Sequence, residues 1–203
     1  MFLVFDIETT GLIKCKKFNV YPDFKDNKEY DNARIVQIAW VLLDKKYNTI
    51  DKKNYIIRRD GFDIPNTSFH GITNVISDIK GTKFEIVMMD FADALARADM
   101  IIAHNILFDY NVLVNHMYRY DLQYVHSLFI KKQKFCTSQK SAELLKLRMP
   151  FYASYFKYPS LQELYSYYFK QKIVGAHNAE IDASATTKCF VLLYQELANR
   201  AFN

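Results

Sequence analysis

Proline and glycine are scarce in this chain, four and five of 203 residues. Their scarcity excludes a collagen-like repeat, a glycine-rich linker and a proline-rich tract. No internal repeat or low-complexity stretch is present. Cysteine is rarer still: Cys15, Cys136 and Cys189 are odd in number and form no C-x-x-C pair. That argues against a disulfide scaffold and for a reducing compartment, so an intracellular location (cytoplasm, nucleoid or nucleus) is expected, not secretion. No apolar run nears the ~20 residues that cross a bilayer. The N-terminal apolar stretch stops at Asp6, short of the ~7–15-residue core of a signal peptide. A membrane partner is therefore not expected.

What is abundant is apolar and aromatic matter. Half the residues are hydrophobic and 16% are aromatic, enough for a packed core and too much for a disordered chain. A single domain spanning 1–203 is expected at this length. The net charge of +5 is by itself a weak pointer to an anionic partner. Its placement says more, because several acids fall at element ends while lysines are spread over the rest.

Along the chain, Phe2 to Phe5 reads as a short buried strand closed by a glycine turn. Residues 13–33 are polar and turn-rich and read as a surface loop. Ile35 to Leu43 reads as a strand buried on both faces, and Tyr47 to Arg59 alternates loosely, so the first three strands form an antiparallel meander. Asn66 to Ile79 is a short helical or looped segment. Phe84 to Ala98 places Val87, Phe91, Ala94, Leu95 and Ala98 on one helical stripe. Asp99 to His104 reads as a buried strand, Asn105 as a helix cap and Phe108 to Tyr118 as a helix. Phe135 to Thr137 is a short fifth strand. Helices are expected over Ser138–Leu147, Ser160–Phe169 and Ala179–Ala201. Strands first and β-α units afterwards predict an α/β fold: a five-stranded mixed sheet, strands 1 to 3 antiparallel, flanked by helices.

Asp6 and Glu8 carry the chemistry. Side chains alternate along a strand, so the two carboxylates point the same way and repel each other. Burying them together requires a neutralising cation, and a hard divalent metal prefers carboxylate oxygen. Asp109 lies in the first turn of a helix, where the macrodipole favours negative charge. Asp182 falls near the start of the last helix, whose Ala179, Ala183 and Ala185 are small enough to allow close packing on the sheet. Four carboxylates from three chain-distant segments, each at an element end, suit a pocket for two magnesium ions that activate water and stabilise a leaving oxygen. A base must then take the water's proton, and an imidazole titrates in the right range. His177, in a loop after Gly175, is placed for this. Five residues separate it from Asp182, about 140° of helix rotation, so a loop position lets it reach over the cleft independently.

The three segments D-x-E-T-T-G-L from Asp6, H-N-x-x-F-D from His104 and H-N-A-x-x-D-A from His177 resemble the DEDDh family of 3′-to-5′ exonucleases, the DnaQ-like group of the ribonuclease H-like fold. The likeness extends to Arg34–Ala39, His70–Thr73, Phe135–Thr137 and Ser160–Leu164, in collinear order over nearly the whole chain. The resemblance implies that Asp6, Glu8, Asp109 and Asp182 bind two divalent cations, Mg²⁺ or Mn²⁺, and that His177 is the general base. It implies that Thr9, Thr10, Leu12, His104, Asn105 and Phe108 contact the terminal nucleotide, with Leu12 or Phe108 wedging or stacking against bases. The implied activity is release of nucleoside 5′-monophosphates from the 3′ end of single-stranded nucleic acid, DNA ahead of RNA. Its partner is that 3′ end, with a polymerase or another replication or repair protein as a possible associate. The stretch between Gly11 and Ile35 is longer than in compact members, which bears on the substrate entrance or a partner.

Other signals have plainer readings. Read from its surroundings alone, His104 is a hydrogen-bonded structural histidine and not a base. His70, His116 and His126 lack zinc-ligand spacing; His70-Gly71 reads as a turn or cap. The segment 146–172 mixes Lys146, Arg148, Lys157, Lys170 and Lys172 with tyrosine and phenylalanine, which suits nucleic-acid contact. Its Leu161, Leu164, Tyr165, Tyr168 and Phe169 also fit a buried helical stripe, the reading preferred for the aromatics. Lys131, Lys132 and Lys134 read as a solvated charge run.

Overall fold

The computed structural model describes residues 1–201 apart from positions 16, 18, 66, 150 and 151. Five strands form one sheet: β1 (Phe2–Thr9), β2 (Ile35–Leu43), β3 (Thr49–Ile56), β4 (Met100–Ala103) and β5 (Gln133–Cys136). Their spatial order is β3-β2-β1-β4-β5. The β1–β2 and β2–β3 pairs are antiparallel, and β4 and β5 continue the sheet in parallel. The mixed sheet and its antiparallel meander are those the sequence predicts. β2 is buried at all nine positions, as a central strand covered on both faces must be.

The period of two along β1 distributes its side chains between two layers. Leu3, Phe5 and Ile7 face a core shared with α3 (Phe84–Arg97), α4 (Ile106–Arg119) and α5 (Gln123–Ile130). There Phe5 meets Phe91 and Phe129 edge-on at 6.1 and 5.8 Å, and Trp40 meets Phe91 at 5.2 Å. Each such buried ring contributes ~1.5–3 kcal/mol of apolar burial. Val4 faces the other way, onto Phe190 and Leu193 of α8 (Ala179–Ala201), together with Ile102 and Phe135. The same parity sends Asp6 and Glu8 toward α8. Ala179 and Ala183 lie in contact with Ala39 of β2, all buried, so the small residues do seat the helix closely. Ala185 does not share that contact; it lies on another side of α8.

Several expectations are adjusted. β1 extends to Thr9, with an irregularity between Glu8 and Thr9 where its register against β2 shifts. The surface loop over 13–33 is in part a packed segment. Ile13, Tyr30 and Ala33 are buried, a 3₁₀ turn covers Asn27–Tyr30, and Asn115 of α4 donates to Phe24 O and Asn27 Oδ1 at 2.8 and 3.0 Å. The 66–79 segment holds α1 (Thr67–His70) and α2 (Asn74–Lys80); Asn66 lies outside the described residues. Asn105 does occupy the N-cap position of α4, but in the left-handed region (φ 61°) and without a side-chain capping bond. α5 and a hairpin of β6 (Arg148–Met149) and β7 (Tyr152–Phe156) are additions to the predicted elements, and α6 (Thr137–Leu145) and α7 (Leu161–Phe169) complete the fold. α7 starts behind a capping box in which Ser160 and Glu163 satisfy each other's backbone amides. Of its predicted stripe only Leu164 is fully enclosed, and Tyr165, Tyr168 and Phe169 are half-buried, so the stripe is shallower than a core helix's.

Candidate active site

Two strand positions and one helix turn make the acidic centre. Asp6 and Glu8 project from β1 on one face, and Asp182 comes down from the first turn of α8. Each offers a carboxylate oxygen within 4.8 Å of the others, and they form the group of metal-binding side-chain types that converges among the described residues. Asp109, 5% exposed, stands beside them from the first turn of α4, where its Oδ1 accepts from the Ile7 N–H at 3.2 Å. The structure thus brings the four predicted acids together as three clustered carboxylates and a fourth moored to the β1 backbone.

No lysine or arginine forms an ion pair with these four carboxylates among the described residues, and they repel one another. Burial, then the charges of Asp109, Asp182 and Glu8, raise the Asp6 pKa well above the ordinary carboxylate range. Burial, with Asp182 adding to it, lifts Glu8 to about 7. Burial lifts Asp109 to about 8 against its backbone hydrogen bonds. Burial raises Asp182, opposed by the hydrogen bond and charge of His177. Clustered carboxylates that hold protons this firmly fit hard divalent cations, which would neutralise them; the all-oxygen donor set suits magnesium or manganese.

The first turn of α8 is fixed from below. Gln37, on β2 opposite Glu8, accepts the Ala179 N–H at 3.1 Å and donates to Asn54 Oδ1 at 2.9 Å. Asn54 donates to Glu180 Oε2 at 3.0 Å, and Lys52 pairs with Glu180 at 2.9 Å. Asn178 caps the helix by accepting the Glu180 N–H at 3.1 Å. Sequence reasoning assigned Gln37, Asn54 and Glu180 no role. A polar residue within the otherwise apolar run of β2 was the available signal.

His177 sits just ahead of this turn with φ +66° and its N–H donating to Asp182 Oδ2 at 2.9 Å. Gly175 makes the preceding bend at φ +78°, and a Cβ there would come within 2.7 Å of Ile181 Cδ1, so glycine is required. The imidazole is exposed, resting edge-on against Phe69 with ring centroids 5.9 Å apart. Phe69 is a second neighbour that the sequence did not single out.

The residues matched to the terminal nucleotide divide. Leu12 is 75% exposed, Asn105 is exposed, and Phe108 is half-buried against the core. Thr9 Oγ1 donates to Gly11 O at 2.7 Å. Thr10 turns inward: its hydroxyl donates to Asn32 O and accepts the Arg34 N–H, both at 2.9 Å, closing the 13–33 loop. His104 is likewise structural. Its Nε2 meets the Pro159 carbonyl and its Nδ1 the Thr137 hydroxyl, each at 2.9 Å. A carbonyl only accepts, so Nε2 carries the proton and Nδ1 accepts from Thr137. Burial drops the His104 pKa to about 4, leaving it neutral. His116 is similar: its Nε2 accepts the Ile35 N–H and its Nδ1 donates to Val112 O, both at 3.1 Å, and burial lowers its pKa to about 3. His70 makes the expected turn, accepting the Ile72 N–H at 3.1 Å.

With this geometry in place, the family model described as RNase_T exonuclease matches residues 3–190. The chain belongs to the RNase_T exonuclease family. It is an exonuclease of the DnaQ-like, ribonuclease H-like group, with the DEDDh type of motif. Among solved structures it is similar to exonuclease X in complex with 5′-overhanging duplex DNA, at 20% identity and TM-score 0.61 over 97% of this chain and 92% of that one. It is similar to Escherichia coli exonuclease I in complex with a dT13 oligonucleotide, at 19% identity and TM-score 0.67 over 99% of this chain. Exonuclease I from Methylocaldum szegediense gives 18% and 0.66 over 96% of this chain. The chain spans 43% and 40% of those two exonuclease I chains. At these identities the likeness is one of fold. No curated protein matches the chain in sequence.

Proposed function

We propose that this exonuclease hydrolyses the terminal phosphodiester at the 3′ end of single-stranded DNA and releases a nucleoside 5′-monophosphate. The observation that carries this reading is the convergence of Asp6, Glu8 and Asp182 within 4.8 Å, next to buried Asp109 and below an exposed histidine. Two divalent cations bound there would supply an activated water and offset charge on the leaving oxygen. Asp6, Glu8, Asp109 and Asp182 would hold them. His177 takes the proton of the attacking water as its oxygen bonds to the terminal phosphorus. The bond from that phosphorus to the preceding 3′ oxygen breaks, and that oxygen regains a proton from solvent. The loop seat of His177 lets its ring swing, while its backbone stays tied to Asp182. By the motif resemblance, Leu12 and Phe108 would flank the terminal base, and Asn105 and Thr9 would contact the same nucleotide. His104 and Thr10 act through the backbone they fix. Relatives bound to duplex and single-stranded DNA support DNA as the substrate.

A time course with 5′-labelled single-stranded DNA and RNA in Mg²⁺ or Mn²⁺ tests this. A ladder shortening one nucleotide at a time from the 3′ end is expected, faster on DNA; a faster RNA ladder reassigns the substrate. Asp182→Ala should abolish cleavage with the fold intact. His177→Ala should lower kcat by ~10²–10⁴-fold, the usual worth of a positioned base, and change the pH–rate profile. Undiminished cleavage by Asp182→Ala refutes the assignment.

A further inference from the structure

A groove of about 480 Å³ runs along α8, walled by β3, α7 and the 171–174 segment. Lys52, Lys172 and Lys188 line it against one carboxylate, Glu180. That carboxylate is already engaged by Lys52 at 2.9 Å and by Asn54 at 3.0 Å. Lys172 and Lys188 are exposed, and neither pairs with a carboxylate among the described residues. The groove therefore presents uncompensated positive charge. The other basic residues of the 146–172 segment and the 131–134 run are mostly occupied. Lys157 bridges Glu163 at 2.7 Å, Lys170 donates to Tyr167 O at 2.8 Å, Lys132 donates to Ala98 O at 2.7 Å, and Lys134 lies over the Tyr110 ring at 3.9 Å.

The groove's position relates it to the acidic site. Glu180, Ser184 and Lys188 succeed one another at i, i+4 and share a face of α8, whereas Asp182 lies about 200° round the helix from Glu180. The two features are thus on opposite flanks of one helix end. They join around its tip, because the 171–174 wall continues through Gly175 into the His177 loop. Glu180 to Lys188 spans about 12 Å of helix, the rise of three or four nucleotides at ~3.4 Å each. The Tyr165 ring on the α7 wall, paired with Phe169 at 4.6 Å, offers a face on which a base stacks.

We propose that this groove binds the phosphodiester backbone of nucleic acid beyond the reacting nucleotide, with Lys172 and Lys188 as the phosphate contacts. It rests on the exonuclease reading above and adds a second contact region to it.

The test compares Lys172→Glu/Lys188→Glu with a charge-matched control, Lys45→Glu/Lys46→Glu, in the exposed turn between β2 and β3. Each is assayed on a trinucleotide, on a single strand of about 20 nucleotides, and on that strand annealed to leave a 3′ overhang. The ratio of kcat/KM for long strand over trinucleotide should fall about tenfold or more in the groove variant. The slope of log KM against log salt should become shallower by ~1.5, as for two lost phosphate contacts. The control should move neither. A defect on both long substrates assigns the groove to the cleaved strand, and one confined to the annealed substrate assigns it to the complementary strand. Indistinguishable ratios and slopes for groove variant and control overturn the proposal and leave the lysines to another partner, such as an acidic protein segment. If the native protein cleaves no substrate, the exonuclease reading fails by itself. Fluorescence anisotropy of the labelled strand in EDTA then still reads the groove: weakened binding in the groove variant alone supports it, and equal binding in both variants overturns it.

Discussion

Gln37 is buried beneath the site with both ends of its amide engaged, one on the Ala179 N–H and the other on Asn54. It contacts none of the clustered oxygens, so it is a positioning residue. Gln37→Met keeps the volume but leaves a helix N–H in the interior without its acceptor, costing about 1–3 kcal/mol. Because that turn carries Asp182, the Mg²⁺ concentration for half-maximal activity should rise as well. Thermal unfolding and a metal titration of kcat read the two effects separately. A lowered Tm with an unchanged metal titration would make Gln37 merely structural. At this scale the sequence was uneven in what it disclosed. Asp6 and Glu8 were legible because a strand's period of two decides where they point. His104 was legible as structural from its setting, although motif matching had placed it at the nucleotide. Thr10 was not legible, since its partners Asn32 and Arg34 lie across a loop whose path no local pattern encodes.

At the level of elements, strong periodicity was readable and weak periodicity was not. α3 declared itself through five residues on one stripe, Val87, Phe91, Ala94, Leu95 and Ala98, all of them buried. α5 has just Val125 and Phe129 buried, no side-chain cap at Leu122, and no glycine or proline at its borders, so a short helix there leaves little trace. The β6–β7 hairpin has the same weakness, and Pro150 and Phe151 between its strands lie outside the described residues. The placement of the start of α8 rests on size: Ala39, Ala179 and Ala183 pack against one another, all buried. Ala183→Leu should overpack this contact and cost about 1–3 kcal/mol. Lifting α8 also draws Asp182 from Asp6 and Glu8, so catalysis should fall further than the loss of stability explains. Chemical denaturation alongside kcat at saturating Mg²⁺ checks this, and activity matching wild type would show that the helix tip adjusts independently of its seat.

For the molecule as a whole, the acidic centre opposes folding when no cation is present. Glu8 and Asp109 have folded pKa values of about 7 and about 8, and Asp6 is also well above its ordinary value. Their unfolded values lie near ~4, so between roughly pH 4 and 8 the native state binds more protons than the unfolded state, and stability falls as pH rises. His104 and His116, depressed to about 4 and about 3, act in the opposite sense. They remain neutral when folded, so stability is lost as pH falls below their unfolded value near ~6.5. The two tendencies overlap below pH 6.5, but above it the carboxylates act without the histidines. In EDTA the Tm should therefore decline from pH 6.5 to 8.5. Divalent cations bind the deprotonated carboxylates and take the place of the protons. Their stabilisation should accordingly grow with pH, and the decline should flatten or reverse in excess Mg²⁺. Asp6→Asn removes one charge from the cluster, so in EDTA at pH 8 it should melt above wild type while gaining little from Mg²⁺. Differential scanning fluorimetry across that range decides the matter: parallel Tm curves with and without the metal would mean that the carboxylates are relieved by something other than a bound cation.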